Sequence, residues 1–300
     1  MPHAGGTSNS VFIRSLIVAP RLLTPALAVA CVGLILASSG NAAAQGRVDA
    51  QYEVSLAGIP IGKGAWTVEI TDDQYSSSAS GRTTGLIAML GSGDGSGASV
   101  GRMVKGQMVP ANYSVTMNTN KRTEVLKIAL ANGNVKEFTI EPEPPVNPDR
   151  IPVTEAHKRG VVDPMTGSLL RVPGSGDPVS PQACAQGQSV FDGRMRYDLK
   201  LEFKRMETIK VDKGYQGAAV VCGITFLPIA GYVPDRAAIK YLKSQRHMEV
   251  WLAPVQGTRV LMPFKVLIPT PIGNGMLQAT RFVNSLPGQA GNPAAGARTQ

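Results

Sequence analysis

Residues 194–204 read RMRYDLKLEFK, and apolar and charged side chains alternate along them without interruption. A period of two predicts a β-strand with one buried side and one solvent-facing side. Residues 218–226, AAVVCGITF, are the predicted partner strand, in which every second residue from Ala218 to Phe226 is apolar and shares one face. The side chains expected to line a candidate apolar concavity are Met195, Tyr197, Leu199, Leu201, Phe203, Val220 and Ile224.

The first 44 residues have the three parts of a secretory signal peptide. Arg14 and Arg21 form a basic lead-in, residues 26–37 are an unbroken apolar run, and small residues precede the expected cleavage after Ala44. The apolar run is too short to span a bilayer. We therefore predict export of the mature chain to an oxidising compartment.

Cys184 precedes the first alternating strand, and Cys222 lies within the second. An even number of cysteines in an exported chain predicts one disulfide between them, with two buried thiols as the alternative. Their separation excludes a CxxC redox pair, and further soft zinc ligands are missing. We expect no metal and no cofactor. Cys31 lies in the middle of the apolar run rather than at its end, which disfavours a lipid anchor there.

The remaining patterns predict ten to twelve antiparallel strands in a single β-rich domain, residues 45–286. Its halves, 45–140 and 161–286, are joined by the proline-rich segment 141–160, because proline cannot donate to a strand ladder. Residues 287–300 are expected to be a disordered tail. No βαβ alternation is visible. The predicted fold is all-β and mainly antiparallel, a strongly curved open barrel or spiral-like sheet with two or three short helices.

Turn and helix signals interrupt this pattern at a few places. Residues 85–90 are expected to form one helical turn, and the glycine run 91–97 a mobile loop. Asn132-Gly133 is the strongest hairpin signal in the chain. Asp163-Pro164 has the signature of a helix start, with aspartate at the N-cap.

Residues 235–246 have helical periodicity and carry a basic stripe along one side. A solvated helix face explains such a stripe without any function. The functional alternative is a patch that meets phosphate groups on lipids or another polyanion. The residues of this possible anionic-surface patch are Arg236, Lys240, Lys243 and Arg246.

One short motif resembles a catalytic one. Gly97–Gly101 fits the G-x-S-x-G pattern of serine hydrolases, with Ser99 as the nucleophile. That motif needs a strand-to-helix elbow, whereas a strand-like segment follows here. His157 and His247 are solitary and make a weak case for acid–base or metal chemistry. We therefore expect no enzyme and no catalytic residues.

Charge and hydropathy limit the partners. Removing the two basic residues of the signal peptide from the net charge of +9 leaves +7, which suits attraction to anionic surfaces. Aromatic residues do not interleave with a basic cluster, so no nucleic-acid partner is expected. The mature chain has no second apolar run of membrane length, so it is expected to be peripheral to a membrane at most.

Several short motifs follow one another in a recognisable order over residues 48–283. They are Tyr52–Leu56, Gly58–Gly62, Asp163-Pro164, Phe191–Arg194, Tyr197–Leu199, Cys222, Pro228–Gly231 and Val250–Leu252. In this order the chain resembles the bacterial domain-of-unknown-function family 3108. The resemblance implies an exported, periplasmic protein with a strongly curved, open antiparallel β-structure, and it supplies no catalytic residues.

The leading functional hypothesis is a non-enzymatic periplasmic envelope protein that binds a lipid, a lipoprotein or a hydrophobic peptide in the concavity of a curved sheet. The unbroken apolar faces and the predicted export motivate it. One alternative is a periplasmic hydrolase that acts on cell-wall or lipid substrates through Ser99. The other is a purely structural envelope protein with a filled core.

Overall fold

A computed structural model describes residues 45–85, 92–212 and 214–285. The predicted signal peptide, most of the helical turn expected at 85–90 and the expected tail at 287–300 lie outside these residues. Within them, fourteen strands form one sheet, two or more beyond the number expected. The strands are β1 (Gly46–Leu56), β2 (Ile59–Ile70), β3 (Gln74–Thr83), β4 (Gly93–Val104), β5 (Gln107–Thr119), β6 (Thr123–Ala131), β7 (Asn134–Glu141), β8 (Leu170–Arg171), β9 (Gly187–Phe191), β10 (Arg196–Lys210), β11 (Gln216–Ala230), β12 (Met248–Pro254), β13 (Val260–Thr270) and β14 (Gly273–Ser285).

Helices are short in the described residues. They are α1 (Pro164–Gly167), α2 (Ala237–Ser244) and the 3₁₀ turns Glu155–Lys158 and Pro181–Cys184. Every pairing between the named strands is antiparallel, so the predicted all-β, mainly antiparallel fold is confirmed.

The spatial order of the strands explains why the sheet is open. It runs β7-β6-β5-β4-β3-β2-β1-β14-β13-β12-β11-β10-β9, with β8 paired to β13 outside this path. The first and last strands of the chain are therefore neighbours in the middle of the sheet. Strands β7 and β9 are its two edges, and the proline-rich segment leaves the sheet at β7.

The end of that segment and the two residues after it join the two edges. Arg159 bridges to Asn134 at the start of β7, and Val162 bridges to Val190 in β9. The backbone amide of Val161 donates to the carbonyl of Gly133 at 2.8 Å. Edge strands expose unpaired backbone groups, and these bonds satisfy several of them. We call residues 159–162 the edge link.

Side chains also connect the edges. The rings of Phe138 and Phe191 are in T-shaped contact, with centroids 5.4 Å apart. The guanidinium of Arg194, just after β9, lies 2.6 Å from the buried carboxylate of Glu124 in β6. Gly193 packs so closely on β6 that an added Cβ would lie 2.5 Å from a methyl carbon of Leu126. The sheet is thus curled until its edges touch.

The glycine run expected as a loop forms a strand from Gly93 onward, which corrects the prediction for residues 93–97. Strand β4 begins at Gly93 and is paired on both sides, with β3 and β5. Ladder bonds on both sides hold these residues despite their high backbone entropy.

The predicted hairpin at Asn132-Gly133 is confirmed. These two residues connect β6 and β7 with φ values of 51° and 73°. A two-residue turn with both φ angles positive matches the twist of the strands that it joins.

The two faces of β11 to β13 belong to different apolar clusters. Ala219 and Val221 of β11 pack with residues of β1, β2 and β14. Val220 and Cys222, which alternate with them along the strand, pack instead with β8 and the turn before β9. Successive residues of a strand point to opposite faces, so both faces of this part of the sheet are covered.

The predicted disulfide is present. Cys184 ends the turn before β9, Cys222 lies in β11, and their Cα atoms are 5.5 Å apart. Both residues are buried in the second cluster. The bond ties the segment that leads into an edge strand to a strand inside the sheet.

Replacing both cysteines with serine should lower stability. The bond closes a loop with a sequence separation of 38, which the chain-entropy model values at about 4 kcal/mol. For a chain of this size that corresponds to a fall in Tm on the order of 10 °C. Thermal unfolding should show that reductant lowers the Tm of the parent protein and leaves the variant unchanged. Two titratable thiols in the unreduced, unfolded parent protein would show that the bond does not form.

Candidate apolar binding site

An apolar cavity of about 290 Å³ lies over one face of strands β10 to β13. Ile268 at its rim is 36% exposed, so the cavity is reached from solvent. Its polar contributions come from Ser168 and Gln188, and the hydroxyl of Ser168 already donates to the carbonyl of Pro164. The side chains and glycine that line it are Gly167, Ser168, Leu170, Gln188, Leu199, Leu201, Ile224, Phe226, Leu242, Met248, Val250, Leu252, Pro263, Val266 and Ile268.

Strand register brings the apolar residues of the four strands to one face. Residues paired across antiparallel strands point to the same side of the sheet. Leu199 of β10 pairs with Phe226 of β11, and Leu201 pairs with Ile224. Ile224 pairs in turn with Met248 of β12. Val250 pairs with Val266 of β13. The result is an apolar stripe that crosses four strands, and it forms the floor of the cavity.

Two short helices and β8 supply the walls. Gly167 of α1, Ser168 and Leu170 line one side, and Leu242 of α2 lines another. Helix α2 packs against β11. Its buried Ile239 lies one turn before Leu242, whereas Ala238 is exposed. These small elements cover the stripe only in part.

The structure brings together three of the seven residues predicted for the concavity. Leu199, Leu201 and Ile224 line the cavity. Val220 is fully buried nearby, in the cluster that contains the disulfide. The half-buried ring of Tyr197 supports the wall, with its centroid 5.5 Å from that of Phe226.

Met195 and Phe203 do not line the cavity, which corrects the prediction for both. Met195 precedes β10, which begins at Arg196. Phe203 is 39% exposed and lies at a β-bulge between Phe203 and Arg205. A bulge adds a residue to one strand and re-aims the side chains beside it. The alternation of the sequence ends here, because Lys204 and Arg205 are both charged, and it gives no register for the strand beyond the bulge.

Beyond the bulge, charged side chains of β10 contact side chains of β12. The guanidinium of Arg205 lies 2.9 Å from a carboxylate oxygen of Glu249 and 2.6 Å from one of Glu207. The indole nitrogen of Trp251 donates to Glu207 at 2.7 Å. The bond from Trp251 and the Arg205 guanidinium lower the pKa of the Glu207 carboxyl. The charged groups of this cluster pair with one another, and Trp251 belongs to the apolar cluster that also contains residues of β1, β2 and β14.

The four residues of the predicted basic stripe lie on or beside α2 and are all exposed. They differ in their partners. Lys240 pairs with Asp235 at 2.8 Å. Arg246 donates from Nη1 to the carbonyls of Lys243 and Gln245, each at 2.9 Å, and so folds back on the last helical turn. Arg236 is at the N-cap, at the other end of the helix.

Asp163 anchors α1 to the interior of the sheet. Its Oδ1 accepts the backbone amides of Met165 and Thr166, as an N-cap residue does. Its Oδ2 accepts the hydroxyls of Ser99 at 2.9 Å and Thr166 at 2.6 Å. The hydroxyl of Thr166 also bonds to Tyr75. Burial raises the pKa of the Asp163 carboxyl, and these hydrogen bonds oppose the rise.

The surroundings of Ser99 are those of a buried structural residue. It is fully buried in the middle of β4, with no elbow at its position, and its hydroxyl is held by Asp163. The two histidines lie elsewhere: His157 is in a 3₁₀ turn, where its ring nitrogen accepts the backbone amide of Thr154, and His247 is exposed after α2. The geometry gives Ser99 no route to a substrate.

A larger cleft of about 910 Å³ separates β7 from the proline-rich segment. Its walls are mostly exposed and of mixed polarity, and Val146 there is 94% exposed. Within the described ranges, no helix is long and apolar enough to cross a membrane. In the same residues, no group of three or more His, Cys, Asp or Glu side chains could hold a metal ion.

The fold and the cavity define a β-barrel-like protein made of one curled sheet with an apolar pocket on one face. A family model described as "Protein of unknown function (DUF3108)" matches residues 51–280, and the chain belongs to this family. The resemblance inferred from the order of motifs is thereby confirmed.

Comparison with other proteins adds little about function. No curated protein matches the sequence. The crystal structure of a β-barrel-like protein of the domain of unknown function DUF1849 from Brucella abortus is similar, with a TM-score of 0.41 and 7% sequence identity. The match covers 80% of this chain and 98% of that one.

Replacing Asp163 should test its role as the anchor of α1. Asp163→Ala removes an N-cap and leaves two buried hydroxyls without their acceptor, so unfolding in urea should show a loss of about 2–4 kcal/mol. Asp163→Asn keeps one oxygen for the backbone amides and should cost about 1 kcal/mol. If both variants matched the parent protein, the carboxylate would not hold the helix.

Proposed function

We propose that this protein is a non-enzymatic periplasmic envelope protein that binds the apolar part of a lipid, a lipoprotein or a hydrophobic peptide. The observation that carries the proposal is the apolar stripe over β10 to β13, which leaves an accessible cavity of about 290 Å³. Pockets for small ligands measure about 300–1,000 Å³ and are lined mainly by apolar side chains. This cavity is at the small end of that range.

The pattern of exposure supports binding over a purely structural role. Core side chains normally pack with few voids larger than a water molecule. Around this cavity Leu199, Leu201 and Ile224 stay half-buried, although the residues of the second cluster, against which Leu201 and Ile224 pack, are buried. Apolar surface of this kind is stabilised when a ligand covers it.

The disulfide and the amino-terminal sequence support the proposed compartment. Disulfides persist in oxidising environments such as the bacterial periplasm. The first 44 residues have the composition of a signal peptide. Together these features favour a periplasmic protein that acts at the cell envelope.

Filling the cavity should weaken the binding of an apolar probe. Ile224→Trp adds volume between β10 and β12, so the fluorescence titration of N-phenyl-1-naphthylamine should show at least a tenfold rise in Kd. Ile272→Trp is the control, because Ile272 is 71% exposed in the turn after β13 and does not line the cavity. Tm values within a few degrees of the parent protein establish that both variants fold.

Equal probe binding by the parent protein and Ile224→Trp would contradict the proposal. A second measurement addresses the natural ligand. Native mass spectrometry of the protein purified from the periplasm should show a bound species in the lipid mass range. Repeated preparations with neither a bound lipid nor a crosslinked partner would count against a binding role.

The hydrolase alternative is tested through its nucleophile. A fluorophosphonate probe should fail to label the folded protein, because Ser99 is fully buried and hydrogen-bonded to Asp163. Labelling of the parent protein that disappears in Ser99→Ala would establish the alternative. The control is labelling after denaturation, which should be equally absent from both proteins.

A further inference from the structure

We infer that the ligand of the apolar cavity is an amphiphile with one acyl chain and an anionic phosphate head group, and that Lys243 and Arg246 bind the head group. This inference rests on the proposed function, because it assumes that the cavity holds an apolar chain. Beyond the proposed function, the inference specifies the charge of the ligand and the place where its polar end binds. Nothing else in the proposed function requires a charged ligand.

The first step is the place of the cations relative to the cavity. Leu242 of α2 lines the cavity, and Lys243 is the next residue of the helix. Residues three and four apart on a helix are neighbours on its surface, so Lys243 lies one turn beyond the buried Ile239. Arg246 follows the helix and folds back on its last turn by bonding to the carbonyl of Lys243. Both cations therefore lie at the end of α2 that carries the wall residue Leu242.

The second step is their freedom to bind a ligand. Within the described residues, Lys243 has no ion pair, and it is exposed. Arg246 uses only Nη1 for the two backbone carbonyls, which leaves Nε and Nη2 to donate elsewhere. Lys240 is different, because Asp235 already pairs with it at 2.8 Å. Lys243 and Arg246, two of the four residues of the basic stripe, are therefore available to bind an anion at the cavity.

The third step is the chemistry of the ligand. An ammonium and a guanidinium at the same end of one helix offer several charge-assisted donors, and a phosphate group has oxygens to accept them. The apolar part must be small, because the cavity of about 290 Å³ is at the lower limit for ligand pockets. One acyl chain suits this volume better than two. A lysophospholipid with a net negative head group has both properties.

Competition with the bound apolar probe measures the head-group preference. Lysophosphatidylglycerol and lysophosphatidylcholine with the same acyl chain differ in net charge and share their apolar part. The anionic lipid should displace N-phenyl-1-naphthylamine at a concentration at least tenfold lower, below the critical micelle concentration of both. The preference should shrink in high salt, because salt screens exposed charges.

Charge reversal assigns the preference to residues. The double variant Lys243→Glu with Arg246→Glu should bind the probe as before and lose the preference for the anionic lipid. The matched control is Lys63→Glu with Lys127→Glu, which makes the same change in net charge at exposed positions on β2 and β6. This control should keep the preference.

Each contrary outcome overturns a definite part of the account. Equal displacement by the two lipids, or equal loss of preference in both double variants, overturns the inference and leaves probe binding and the proposed function intact. A fatty acid of the same chain length that binds more tightly than the anionic lysolipid overturns the assignment to phosphate. Failure of the parent protein to bind the probe overturns the proposed function itself.

Discussion

An antiparallel sheet that does not close leaves two edges whose backbone groups need partners, and this constraint shapes the whole protein. The edges here are β7 and β9, and the edge link, residues 159–162, bonds to both. Asp163 follows the link directly and caps helix α1. The same stretch of chain therefore joins the edges and places one wall of the apolar cavity.

The cavity is a consequence of how unequally the two faces of β11 to β13 are covered. One face meets the curled sheet itself and is packed by large side chains from β1, β2 and β14. The other face is covered by a two-residue strand, a four-residue helix, an eight-residue helix and the turn that carries Cys184. Such small elements cannot cover a stripe that spans four strands. The uncovered part is the candidate site, and the disulfide holds the covering turn in place beside it.

Sequence patterns were sufficient wherever the determining contacts are local. Alternation predicted β10 and β11, Asn132-Gly133 predicted its hairpin, and Asp163-Pro164 predicted the helix start. Contacts between distant residues were not predictable in this way. The hydrogen bond between Ser99 and Asp163 joins residues 64 apart in sequence, and the bulge beside Phe203 depends on pairing with β11. The glycine-rich start of β4 was missed because its pairing on both sides has no local signal.

Local patterns also do not show that β12 and β13 join β10 and β11 in one apolar stripe, because register between strands is set by the whole sheet. The most direct test of the account is therefore an experimental structure of the protein purified from its native compartment. We expect elongated density over β10 to β13, in contact with Leu199, Ile224 and Val266. Side chains of the protein itself packed into that space, with no room for a ligand, would contradict the account.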